Sequence, residues 1–205
     1  MNRFERFKEH LLNSFDRLNE ILEIELRDEF SIIDIEDKRS FIVVDHNLDD
    51  NTFIICHNGV NTIQTNFDIT KLFNIKNAQT IGFIPIDSGI EELGLMKLLN
   101  MGEKRCDFVF FDEYNFCFVE LKLNATSEKK RRIRIIRMDA IEQLKNTIAL
   151  FDDKLEGNYE GLLPEAYVCT PQTYPRENAS WQNLAERFLE EVRIEIFEKN
   201  EKTSL

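Results

Sequence analysis

The chain has 205 residues, 42% of them apolar and 31% charged, with 17 phenylalanines. This ordinary globular balance suits one domain with an extension, or two small units. The net charge of −12 argues against a surface that grips nucleic acid all round. No run approaches eighteen apolar residues, and the opening MNRFERFKEHLL lacks the basic and apolar regions of a signal peptide. A cytoplasmic protein with no membrane partner is expected.

Residues 2 to 28 read as an amphipathic helix, because Phe4, Phe7, Leu11, Phe15, Leu18 and Leu22 recur at spacings of three and four. That stripe either packs on the body of the protein or joins a protein partner or a second copy. Residues 29 to 86 change character. Runs rich in Phe, Ile and Val near 30–35, 41–45, 52–57 and 60–65 read as strands, the last two around the hairpin signal Asn58-Gly59. FDITKLF adds a short helix with Asp68 as its cap, and TIGFIPI (80–86) is a further strand. The segment is a small antiparallel extension.

From residue 87 the order becomes helix, strand, strand, helix, strand, helix. DSGIEELGLMKLLN starts at an Asp87 or Ser88 cap and sets Ile90, Leu93, Met96 and Leu98 on an apolar arc. Strands follow at 105–111 and 116–123. MDAIEQLKNTIALF is a helix with Ile141, Leu144, Ile148 and Phe151 on one face. EAYVCT is a short strand. NASWQNLAERFLEEVRIEIFEKN is a closing helix with Trp181, Leu184, Phe188 and Val192 inward, and EKTSL is expected to fray. The order predicts an α/β or α+β fold: a mixed central sheet flanked by helices over 87–205, preceded by the N-terminal helix (1–28) and the β extension (29–86).

Charge is unevenly spread. Between Lys122 and Arg137 seven basic residues face one acid, Glu128, so this strip is +6 and the remainder −18. Cys56, Cys106, Cys117 and Cys169 lie singly in apolar runs, as buried thiols do, and His10, His46 and His57 form no ligand spacing. No glycine-rich phosphate loop, G-x-S-x-G or Cys–His pairing is present.

The stretch KRCDFVFFDEYNFCFVELKLN (104–124) carries charge where a greasy hairpin should have none. If residues 112–115 form the loop, Phe111 faces Phe116, and the pairing runs back through 109/118 to 107/120. Asp107 then lies across from Glu120, with Lys122 on the same face as Glu120. Opposed carboxylates destabilise a sheet unless a cation offsets them. Either Arg105, Lys104 or Lys122 does so in a structural salt-bridge ladder, or a divalent cation does, since Mg²⁺ commonly takes one or two carboxylates with phosphate and water.

Asp107, twelve intervening residues and then Glu120-Leu121-Lys122 resemble the signature of the PD-(D/E)xK nuclease superfamily, across roughly residues 88 to 170. The resemblance implies a restriction-endonuclease-like core and a metal-dependent nuclease acting on nucleic acid, DNA ahead of RNA. Asp107, Glu120 and the Leu121 carbonyl would ligate Mg²⁺ or Mn²⁺. Lys122 would position or activate the attacking water and counter transition-state charge. Glu91, ahead of Glu92, would be the family's extra helical acid, and Gln143 the polar residue of the following helix. Lys129, Lys130, Arg131, Arg132, Arg134 and Arg137 would hold flanking phosphates. Cys106 stands where the family's motif often has proline. The alternative is a catalytically inactive nuclease-like module used in protein assembly. The acidic chain suits a subunit whose partner supplies further nucleic-acid grip.

Overall fold

A computed structural model describes residues 1–35, 39–57, 60–76, 79–86, 104–176 and 178–204. Within them lie three α-helices, α1 (Arg3–Ser14), α2 (Lys130–Leu155) and α3 (Ala179–Val192). The twelve strands are β1 (Glu23–Glu25), β2 (Phe30–Asp34), β3 (Ser40–Asn47), β4 (Thr52–His57), β5 (Val60–Thr65), β6 (Leu72–Lys76), β7 (Ile81–Pro85), β8 (Phe108–Phe111), β9 (Asn115–Leu121), β10 (Leu163–Cys169), β11 (Glu195–Phe197) and β12 (Glu201–Thr203). The fold is a mixed α/β one, as the sequence predicts. The hairpin turn at Asn58-Gly59 and the helix expected from residue 88 lie outside the described residues.

The strands make two mixed sheets, ordered β1-β7-β8-β9-β10-β11 and β12-β6-β2-β3-β4-β5. Period-two alternation along β8 and β9 sorts their side chains onto two buried faces. Val109, Phe111, Phe116 and Phe118 pack with Phe7, Leu144, Phe151 and Phe188 under the helices. Phe108, Phe110, Cys117 and Val119 pack with Ile32, Phe73 and Ile75 of the second sheet. The first sheet is therefore the middle layer of three, which is why its strands are apolar on both faces. Gly82 on β7 allows this packing at one tight point: a Cβ there would lie 2.3 Å from the ring of Phe111.

The expected helix over 2–28 is shorter. Asn2 caps it by accepting from the Glu5 N–H at 2.9 Å, and it ends at Ser14. A 3₁₀ turn over Leu18–Glu20 and strand β1 follow. Phe15, Leu18 and Ile21 are still buried, because a turn of three residues keeps the same spacing as the helical stripe. Phe4, Phe7 and Leu11 sit in the protein's own core, so this face is covered and does not serve as an oligomer surface.

The basic stretch before Met138 is helical, since α2 starts at Lys130. Lys and Arg are good helix formers, and buried Ile133 and Arg137 extend the inward stripe of Ala140, Leu144, Thr147 and Phe151 backward. The closing helix stops at Val192. Arg193 turns the chain in the left-handed region at φ 65°, and β11 then pairs in parallel with β10. Of the residues expected to fray, Glu201–Thr203 form β12, which pairs in parallel with β6. The short helix at Ile69–Lys71 is capped by Asp68, which accepts from the Thr70 N–H at 3.0 Å. The division at 86/87 does not follow the sheets. β7 completes the first sheet, and β12 completes the second.

Candidate active site

The β8–β9 register is the expected one, with Phe111 opposite Phe116 and Val109 opposite Phe118. Asp112 sets the loop by accepting from the N–H groups of Tyr114 and Asn115, both at 2.7 Å. The ladder ends at Phe108 and Val119. One residue earlier the Asp107 N–H donates to the Val119 carbonyl at 3.1 Å, so the strand steps out of register at Asp107 and the expected 107/120 pairing does not form. Its carboxylate accepts a short hydrogen bond from the Leu121 N–H. Cys106 is held behind it: its N–H donates to Thr147 Oγ1 of α2 at 2.9 Å.

Glu120, 1% exposed, and Asp107, 8% exposed, form a buried carboxylate pair. Burial, followed by repulsion from Glu120 and then from Asp34, raises the Asp107 pKa well above the usual carboxylate range. Burial also pushes Glu120 up to about 7, although Lys122 pulls the other way. Glu120 Oε1 lies 2.7 Å from Lys122 Nζ. Glu120 Oε2 is buried and, among the described residues, has no hydrogen-bond partner. Lys122 Nζ also contacts Asp139 Oδ2 at 3.0 Å and donates to Gln143 Oε1 at 3.2 Å. Burial opposes charge on this lysine, but the two carboxylates prevail and raise its pKa, so it is held as ammonium.

Of the sequence-predicted residues, Asp107, Glu120, Leu121, Lys122 and Gln143 come together at one end of β8 and β9 and one face of α2. Glu91 and its neighbour Glu92 lie outside the described residues. Lys129, Lys130, Arg131, Arg132 and Arg134 are exposed around the first turns of α2, and none forms an ion pair among the described residues. Arg137 is different. It is 2% exposed and grips Glu198 with two bonds, at 2.8 and 2.7 Å, and also donates to the Pro175 carbonyl. It is a structural residue and does not belong to the nucleic-acid set.

Two participants escape the sequence reading. Asp139 pairs with Lys122 and, at 2.7 Å, with Lys104. Its signal is present: Asp139, Gln143 and Thr147 are spaced by four on one helix face. Asp34, at the end of β2, comes from the other sheet, and no local pattern announces it. It also lines a cleft of about 330 Å³ with Leu121, Asn124 and Lys71. A second cleft of about 420 Å³ opens beside Asp139 and Lys104 between α2 and α3.

The donor set suits a hard cation. Two carboxylates that resist ionisation side by side, one with an orphaned buried oxygen, would be relieved by a divalent ion. Among the described residues no three His, Cys, Asp or Glu side chains are placed to hold a metal. The protein's share would therefore be Asp107, Glu120 and the Leu121 main-chain carbonyl, with water and substrate completing the shell. No described helix is long and apolar enough to cross a membrane. No family model, curated protein or solved structure matches the chain.

Proposed function

We propose that this chain is a metal-dependent nuclease with a restriction-endonuclease-like core, hydrolysing phosphodiester bonds of nucleic acid, DNA in preference to RNA. The observation that carries the reading is the buried Asp107–Glu120 pair at the end of a hairpin, with Lys122 beside it and Glu120 Oε2 unpartnered. Such a pair is expensive to keep in a core, and its chemistry suits a cation-dependent attack on an anionic ester.

Asp107, Glu120 and the Leu121 carbonyl would hold Mg²⁺ or Mn²⁺, which when bound neutralises a phosphate oxygen and lowers the pKa of coordinated water. Lys122, fixed as ammonium, would place positive charge where the transition state gathers negative charge. In that state it is not a base. Gln143 and Asp139 would fix its direction. The exposed Lys129–Arg134 cluster would hold flanking phosphates. Those five cations crowd the positive end of the α2 dipole, with no acid in the first turn and no side-chain cap, so an anion there is favoured twice over.

The test is a cleavage assay on DNA and RNA, with Mg²⁺ and with Mn²⁺. Glu120→Ala and Lys122→Ala should each lose at least about 100-fold in rate while keeping the wild-type circular dichroism spectrum. Equal cleavage by wild type and both variants would mean a contaminant or a different site. A second reading, an inactive module used in assembly, is favoured by the closed state of the cluster: Lys122 is already neutralised by Glu120 and Asp139. Calorimetry separates the two, since that reading requires no Mg²⁺ or Mn²⁺ binding.

A further inference from the structure

We propose that β5 is a self-association edge, through which two copies of this chain pair antiparallel and join their second sheets into one. Each sheet ends in two edge strands, and an open edge is a template for another strand unless charge blocks it. Among the described residues three of the four edges are charged: β1 carries Glu23 and Glu25, β11 carries Glu195, and β12 carries Glu201 and Lys202. β5, reading VNTIQT, carries none. It lies within the longest uncharged run of the chain, the 17 residues from Asn51 to Phe67. Val60 and Ile63 on it are 64% and 69% exposed.

The occupant follows from charge. A basic partner would be selected by acids at this edge, and a nucleic acid by cations, and β5 offers neither. A neutral strand fits, and the chain supplies one. A two-fold axis through Ile63 would set Ile63 opposite Ile63, Thr62 opposite Gln64 and Asn61 opposite Thr65 of the second copy. Each of these pairs is neutral, and the Thr–Gln and Asn–Thr pairs can exchange side-chain hydrogen bonds. For a chain of net charge −12, a seam without carboxylates is the surface at which two copies meet with least repulsion. The isologous contact needs no residue of the candidate active site.

Sedimentation velocity of the full chain, from micromolar to hundreds of micromolar, tests this. Wild type should convert from monomer to dimer as concentration rises. Ile63→Lys should remain monomeric throughout with an unchanged circular dichroism spectrum. Asn61→Lys should do the same, and it decides the matter if Ile63→Lys does not fold. A wild type that stays monomeric at every concentration overturns the proposal and leaves the edge to another protein's strand. A dimer that persists in both lysine variants overturns it in favour of a different face.

Discussion

At the scale of single residues, Glu120 sets the sharpest expectation. Its native pKa of about 7 lies above the ordinary 4.5, so the folded state holds the extra proton between those values. Stability from this group is therefore lost as pH rises through that window, and below it the group has no effect. In the presence of a chelator, Glu120→Gln should match wild type near pH 4 and exceed it by about 3 kcal/mol at pH 8. Urea denaturation at the two pH values reads this directly, and parallel curves would mean the carboxylate is not strained. Such a variant would be more stable and inactive, the exchange expected where a site is built against the core's preferences. Glu120 and Lys122 are legible in the sequence because a strand's alternation fixes their shared face, whereas the loop count holds only as far as Phe108 opposite Val119 and does not foresee the step at Asp107. Asp34 is illegible because its approach depends on how one sheet lies on another.

At the scale of elements, α2 carries two kinds of cation that the sequence presents as one run. Arg137 faces inward to Glu198, and the others face out. Arg137→Ala should destabilise the fold by about 3–5 kcal/mol by stranding a buried carboxylate, measured by urea denaturation. Reversing Lys130 and Arg134 to Glu should leave the melting temperature near that of wild type. It should also flatten the dependence of DNA affinity on salt by about one unit of log–log slope for each residue. If the slope is unchanged, the strip does not touch phosphate. Helical periodicity shows the inward face from Ile141 to Phe151. The pattern breaks off at Met138 because a buried arginine at position 137 does not look like core. α1 misleads in the opposite sense, since buried Phe15, Leu18 and Ile21 continue a helical spacing after the helix has ended.

At the scale of the whole molecule, the two sheets are fastened by a buried ion pair. Lys202 of β12 lies 2.6 Å from Glu165 of β10, which also accepts from Tyr167 and Asn115. Lys202→Ala should lower stability by about 3–5 kcal/mol, and Lys202→Met, which keeps the stem's packing, should lose a similar amount because Glu165 is still stranded. If calorimetry shows the alanine variant melting like wild type, the clasp is dispensable. The α/β layering is legible from the order of elements. The two short terminal strands are not, because three residues are too few to establish a period and their pairing is set by distant neighbours.

The exchange of strands between the sheets also bears on how the chain could be divided. β1 belongs with β7–β11, and β12 belongs with β2–β6. Any single break of the backbone between residues 26 and 200 therefore leaves at least one sheet composed of strands from both pieces. A protease nick within that span would not release a self-contained half. The pieces would stay clasped, and a fragment ending at any apparent boundary would lack an edge that the other fragment still holds.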